Sequence, residues 1–195
     1  MITLKYLLGV EKMEQSLFHS KTAVIVVDML NDFVKGELSC EQSRTIVPPI
    51  RALLSSARRK GVPIFYCNDH HIPGIDPELK LWGHHAVAGT EGAEIVSELE
   101  PQKGDYMIPK HCYSGFFQTD LQLLLTSLGI KNLIITGLYT NICVRHTAAD
   151  AFCWGYQIYI PRDCVCAFTP EEYEGDIAYL KTVYGATILS SDEIK

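Results

Sequence analysis

The stretch from Gly137 to Ala151, GLYTNICVRHTAADA, holds Cys143, the residue of this 195-residue chain best placed to do chemistry. An apolar, β-branched run, Leu133-Ile134-Ile135-Thr136, precedes it and predicts a buried parallel strand that ends at Gly137. Thr140 or Asn141 can cap a following helix, one face of which carries Ile142, Thr147, Ala148 and Ala151. Cys143 then falls in the first turn of that helix. Unpaired backbone N–H groups and the positive end of the helix dipole favour thiolate there, so the spacing predicts a lowered thiol pKa. The same N–H groups can stabilise a developing oxyanion. Most cysteines are simply small buried hydrophobes. Here strand end, glycine turn and helix start coincide, which is where ligands bind in an open α/β sheet.

Two more chemical side chains fall at predicted strand ends. Asp28 follows the apolar run Thr22 to Val27, and Lys110 follows Tyr106-Met107-Ile108-Pro109. The carboxyl ends of parallel strands share one edge, so Asp28, Lys110 and Cys143 converge. An acid, an ammonium and a thiol suffice for nucleophilic hydrolysis of an amide. Lys110 would hold the thiolate, and Asp28 would take the thiol proton and hand it to the departing amine. A plain Asp28–Lys110 salt bridge is the alternative reading. A second cluster lies between Asp69 and His85, DHHIPGIDPELKLWGHH. Asp69 and His71 alternate at a strand end and so share a face, Glu78 lies between, and His85 returns after the loop. Two imidazoles and carboxylates with an open position suit Zn²⁺, or less selectively Fe²⁺ or Mn²⁺. A solvated His-rich loop is the alternative. His70 and His84 adjoin the proposed ligands, so the register of the set can differ by one residue.

The elements that would position these groups alternate between strand and helix. Strands are predicted at Thr22 to Val27, Pro63 to Cys67, Tyr106 to Ile108, Leu133 to Thr136, Tyr156 to Ile160 and Ala186 to Leu189. Helices are predicted at Ser43 to Lys60, Thr119 to Leu128, the Cys143 segment and Pro170 to Tyr184. This pattern gives an α/β fold, a three-layer αβα sandwich on a mostly parallel sheet of roughly six strands with right-handed crossovers. No G-x-G-x-x-G follows the first strand, which argues against a dinucleotide site. Ile72 to Gly92 shows little periodicity, and a loop that long in a compact domain is more often functional than idle. Hydrophobic residues make up 47% of the chain and charged residues 21%, and the net charge is −6. These values fit a globular protein with no nucleic-acid surface. The seven cysteines, an odd number without a CxxC pair, suit reduced thiols in a cytoplasm. No apolar stretch is long enough to span a bilayer.

Three motifs, taken together and in order, resemble the isochorismatase-like cysteine hydrolases, a superfamily that includes the nicotinamidases. They are V-V-D-M-L-N-D-F (Val26 to Phe33), K-x-x-Y-S-G-F (Lys110 to Phe116) and the Cys143 stretch. The resemblance implies an Asp28–Lys110–Cys143 triad, a cis peptide at Leu138–Tyr139, and an oxyanion hole from the backbone amides of Tyr139 and Cys143. Nicotinamidases carry a D-x-H and a later His before a V-x-G-T or V-x-N-T segment. Here these are Asp69, His71 and His85, and Glu78 matches a Glu that some members add. That implies one divalent metal, zinc first, with iron or manganese as alternatives. Isochorismatases and carbamoyl-amide hydrolases of the superfamily lack this set. Phe33 and Trp82 match residues that sandwich a pyridine ring, and Tyr113 lines the same pocket. Asn141 stands where the family commonly has Asp. The expected activity is conversion of nicotinamide and water to nicotinate and ammonia through a cysteine thioester, with the metal orienting the ring. The alternatives are another amide, ureide or isochorismate-type hydrolase of the superfamily, or a non-catalytic binding protein on its fold. We expect a single domain over 1–195 with an N-terminal extension over 1–20. We also expect a cytoplasmic homo-oligomer acting on a small-molecule amide, with no nucleic-acid or membrane partner.

Overall fold

Thr22–Val27 forms β1, and every residue of it is buried. The strand lies at the middle of the sheet, so both of its faces need apolar side chains. The computed structural model describes residues 17, 18 and 21–194, and apart from Leu17 and Phe18 the expected extension over 1–20 lies outside them. β2 (Ile64–Asp69), β3 (Tyr106–Lys110), β4 (Asn132–Leu138), β5 (Gln157–Pro161), β6 (Val165–Cys166) and β7 (Thr187–Leu189) complete the sheet. The order is β3-β2-β1-β4-β5-β7, and β6 pairs with β4. Every pairing is parallel.

Among the described residues the sheet has seven strands rather than roughly six. β5 pairs with β4 only over Asn132 to Ile134, and β6 takes up the same edge at Gly137 and Leu138. A two-residue strand has no periodicity to read, which hides β6 from the sequence.

Alternation along the strands divides the core in two. Val24, Val26, Ile64, Tyr66 and Ile134 face one layer, with Ile50, Leu53 and Leu54 of α3 (Val47–Arg59). Ala23, Ile25, Val27, Phe65, Leu133 and Ile135 face the other. There they meet α5 (Leu121–Ser127), α6 (Cys143–Cys153) and α7 (Pro170–Tyr184). This is the expected three-layer αβα arrangement. Three short α-helices join them among the described residues: α1 (Asn31–Val34), α2 (Glu41–Thr45) and α4 (Glu78–Trp82). The single helix expected over Ser43 to Lys60 is therefore two, α2 and α3. Pro48 and Pro49 fall at the start of α3, and proline is tolerated only in a first turn, where its missing N–H has no partner to lose.

From β1 the chain runs outward through β2 and β3, then returns to β4 on the other side of β1. The strand order reverses between β1 and β4, and a crevice opens at their carboxyl ends. No helix among the described residues is long and apolar enough to cross a membrane.

Candidate active site

Asp28, Lys110 and Cys143 meet at the mouth of this crevice. Asp28 directly follows β1 and adopts φ 52°, a left-handed conformation that Asp tolerates better than most residues. Its Oδ1 accepts the Asp69 amide at 2.7 Å. Lys110, the last residue of β3, is fully buried; its Nζ lies 2.7 Å from Asp28 Oδ2 and 2.5 Å from Asp69 Oδ1. The same ammonium is 3.7 Å from Cys143 Sγ. The salt bridge and the convergence with the thiol are therefore both present, since one ammonium serves both.

Burial raises Asp28 to about 6, Asp69 beside it adds to the rise, and Lys110 offsets only part of it. Burial alone would push the Lys110 ammonium down, but Asp28 and Asp69 hold it well above its usual value. Asp69 stays below the ordinary carboxylate range because Lys110 and His71 outweigh its burial. The Cys143 thiol departs from the sequence expectation. Burial lifts its pKa well above that of a free thiol, Asp28 and Asp69 add to the rise, and Lys110 opposes it. The helix start is there, but the neighbouring carboxylates and the loss of water dominate.

The turn between β4 and α6 is tied from several sides. The Leu138–Tyr139 peptide is cis. Tyr139 Oη lies 3.1 Å from Phe33 O, 2.5 Å from Leu38 O and 3.1 Å from Ser43 Oγ. The Thr140 amide donates to Cys166 O at 2.9 Å. The amides of Ile142 and Val144 both donate to Tyr139 O, at 3.0 and 3.2 Å. No acceptor among the described residues takes the Cys143 amide, so that N–H is available to a ligand. Neither Thr140 nor Asn141 caps α6. The residue before the helix is Ile142 with φ −123° and ψ −102°, and no side chain caps it. Thr140 Oγ1 donates instead to Asp176 Oδ2, at 2.9 Å.

Asp69, His71, Glu78 and His85 are all buried, and each offers a donor atom within 4.8 Å of the others. The loop over 72–92 brings them together by returning beside β2. The His71 amide donates to Ala86 O at 2.9 Å and the Ala88 amide to His71 O at 3.0 Å. The His71 and His85 rings then stand 4.7 Å apart. Glu78 opens α4, inside what the sequence reads as irregular loop. Asp76 was not identified from the sequence as part of the site. Its Oδ2 lies 3.2 Å from His71 Nδ1 and 3.0 Å from His111 Nδ1, and accepts the Ile72 amide at 2.8 Å. The only signal was an acid inside a His-rich loop, and nothing in the spacing separates a ligand from a group that orients one. His70 and His84 are exposed and lie outside the donor group.

The donor set fits a metal. His71 Nε2 and Glu78 Oε1 are buried without a hydrogen-bond partner. Ionised Asp76 accepts the Nδ1 proton of His71, and His85 Nδ1 donates to Gly83 O at 2.9 Å. In their neutral forms both rings would thus present Nε2 as a lone pair, the arrangement that outer partners impose on metal-binding imidazoles. Burial and the nearby Asp69 raise Glu78 to about 7, as befits a carboxylate crowded with others and lacking a cation of its own.

One cavity joins the two clusters. Asp28 and Cys143 line it at one part, and Asp69, Glu78 and His85 at another. Phe33, Trp82 and Tyr113 all border it. Phe33 is buried and set edge-on to His85, with ring centroids 5.6 Å apart. Trp82 is 40% exposed, and its indole N–H donates to Tyr113 Oη at 3.2 Å. Leu38 and Phe168, which sequence reasoning missed, add a wall with the Tyr139 ring, and the Tyr139 and Phe168 rings stack at 4.0 Å. Leu38 and Phe168 lie in irregular segments whose approach only the folded topology sets.

The family model for the isochorismatase domain matches residues 22–193. The solved N-carbamoylsarcosine amidase of Thermoplasma acidophilum is 42% identical, with a TM-score of 0.85 over 90% of this chain and 99% of that one. The nicotinamidase PncA of Bacillus subtilis is 36% identical, with a TM-score of 0.83 over 87% and 99%. The pyrazinamidase of Pyrococcus horikoshii, solved in complex with zinc, is 33% identical, with a TM-score of 0.81 over 87% and 99%. These relatives carry different substrate names, and the match spans 99% of each of their chains. With its three motifs set around the crevice between β1 and β4, the chain belongs to the isochorismatase family.

Proposed function

We propose that the protein is a nicotinamidase, hydrolysing a neutral, planar carboxamide through Cys143. The observation that carries this reading is the lining of the cavity. Phe33, Trp82, Tyr113, Tyr139 and Phe168 give it aromatic faces, and its charged or titratable lining is acid, thiol and imidazole: Asp28, Asp69, Glu78, Cys143 and His85. Lys110 is occupied by two carboxylates behind it. A substrate bearing its own carboxylate would find no lysine or arginine in this lining to receive it, whereas a flat heteroaromatic amide finds faces to stack on.

In this reading Cys143 Sγ attacks the carboxamide carbon while its proton passes to Asp28. The amides of Tyr139 and Cys143 receive the oxyanion. Asp28 returns the proton to the leaving nitrogen, ammonia departs, and a thioester remains. Asp28 then takes a proton from water as that water attacks the thioester carbon. The acid is released and the proton goes back to sulfur. Lys110 keeps Asp28 aligned and its charge close to the sulfur throughout. Asp69, His71, Glu78 and His85 would hold a divalent ion, zinc first, which when bound supplies a Lewis-acidic anchor for a ring nitrogen.

The second reading, a carbamoyl-amide hydrolase, is favoured by the 42% identity to the Thermoplasma amidase. Ammonia release from nicotinamide, pyrazinamide, benzamide and N-carbamoylsarcosine on one metal-loaded preparation separates the two. A site built around a polar anchor rejects an analogue lacking it by about 10⁴-fold, against about 10²-fold for a missing methylene in an apolar pocket. Nicotinamide and pyrazinamide should therefore be turned over and benzamide should be very poor. Preferred hydrolysis of N-carbamoylsarcosine, or equal kcat/KM for benzamide and nicotinamide, would overturn the proposal.

A further inference from the structure

We infer that Asp176, on α7, is a positioning residue for the acyl-transfer step. The inference rests on the reading above that the amides of Tyr139 and Cys143 receive the oxyanion. It goes beyond that reading by assigning the group that holds the turn between them.

The turn is short, and its two ends have different supports. Its Tyr139 end is fixed by the phenol, which reaches Phe33 O, Leu38 O and Ser43 Oγ. Toward its Cys143 end, α6 begins without a side-chain cap. Between the two ends the side-chain tie is Thr140, next to Tyr139 and fully buried, whose hydroxyl donates to Asp176 Oδ2 at 2.9 Å. The other oxygen of Asp176 lies 3.8 Å from Nη1 of Arg145, in the first turn of α6. The Arg145 guanidinium is in turn held over the Tyr179 ring of α7, 3.6 Å from its centroid. One carboxylate thus spans the nucleophile, accepting a hydrogen bond from Thr140 before it and facing the Arg145 guanidinium after it.

Asp176 is itself buried, at 7% exposure. Burying a carboxylate is unfavourable unless donors compensate, and burial does raise its pKa, with Thr140 and Arg145 opposing the rise. An apolar residue at that position would pack α7 against α6 without this penalty. What the carboxylate adds is a directional acceptor aimed at Thr140. Such a group matters most when the turn must hold its shape against a charge that develops only in the transition state. Loss of one oxyanion donor lowers kcat by about 10²- to 10³-fold. Loosening a turn that still carries both donors should cost less, about 10-fold.

The test measures kcat and KM for Asp176→Ala, Asp176→Asn, Thr140→Val and the double variant Asp176→Ala/Thr140→Val. The substrate is whichever amide of the panel above the wild type turns over. Asp176→Ala and Thr140→Val should each lower kcat by about 10-fold with KM changed less than about 2-fold. The double variant should be no worse than either single one, because the two side chains act as one unit. Asp176→Asn, which keeps an oxygen to accept the Thr140 hydroxyl, should recover most of the kcat lost in Asp176→Ala. An aldehyde analogue of the substrate gives a readout that needs no turnover. The Cys143 sulfur adds to its carbonyl carbon, the thiol proton passes to the oxygen, and nothing leaves. Its Kd should weaken in parallel with kcat while that of the product acid stays constant. Lower thermal stability with unchanged kcat and aldehyde affinity would overturn the inference, as would additive losses in the double variant. If Asp176→Ala does not fold, Thr140→Val and Asp176→Asn decide it by the same two measurements. Failure of the nicotinamide reading is distinct, because it appears in the wild type as preference for another amide.

Discussion

The protonation of Cys143 depends on its neighbours more than on the helix it opens. Burial and two carboxylates keep the thiol protonated at neutral pH, so attack requires an internal base, and Asp28 is the carboxylate in place. Its raised value of about 6 sets the sign of the pH dependence. The ionised form is the active one, so kcat/KM should rise as pH is raised through about 6 and fall below it. A profile flat from pH 5 to 7 on the metal-loaded enzyme, about a unit to either side of that value, would remove Asp28 from the role. Cys143→Ala should abolish turnover and leave the fold intact. Iodoacetamide should label Cys153, which is exposed on α6, ahead of Cys143, and peptide mapping reads the order. A sequence can place a thiol at a helix start, but the carboxylates that outvote the dipole arrive from β1 and β2. Cys143 was therefore legible as a position while its charge state was not.

At the scale of the element, the loop from Ile72 to Gly92 does the work of a scaffold. Its return beside His71 sets His85 in place, and Asp76 orients the His71 ring from behind. Asp76→Ala should weaken metal retention by about 10- to 100-fold, the usual effect of losing an outer partner of a liganding imidazole. His71→Ala and His85→Ala should empty the site, whereas His70→Ala and His84→Ala should retain metal. Metal content after dialysis against a weak chelator checks all five. The D-x-H spacing made Asp69 and His71 readable because alternation on a strand fixes a face. Asp76 and α4 were not readable, since their positions follow from how the loop closes. The break between α2 and α3 was available in Pro48-Pro49, but apolar spacing across it imitates one continuous helix.

At the scale of the molecule, the site depends on β1 and β4 lying close enough for their ends to share a crevice. Gly137 permits that approach. It has φ 104°, and a Cβ there would sit 1.9 Å from Val27 O. Gly137→Ala should force the central strands apart beside the active site. It should destabilise by more than about 4 kcal/mol, a fall in Tm of roughly 10 °C or more for a chain of this size. Thermal denaturation followed by circular dichroism measures it, and a shift of only a degree or two would show that the strands can part cheaply. The order of strands was legible because continuous apolar runs and intervening helices leave few topologies open. The cavity wall of Leu38 and Phe168 was not, because residues distant in sequence and outside regular elements meet there.

The placement of Lys110 between Asp28 and Asp69 has a consequence for how charge is accounted for during the reaction. With the thiol protonated, the group formed by Asp28, Asp69, Lys110 and Cys143 carries one net negative charge. After the proton has moved from sulfur to Asp28 it still carries one. A proton drawn out to solvent would leave two, in a region with little water to screen them. The sulfur can therefore be an unwilling acid toward the surrounding water and a ready one toward its neighbour. Bulk titration of the thiol and its reactivity toward a bound carbonyl should consequently disagree, and that disagreement would mark a proton that circulates inside the protein without leaving it.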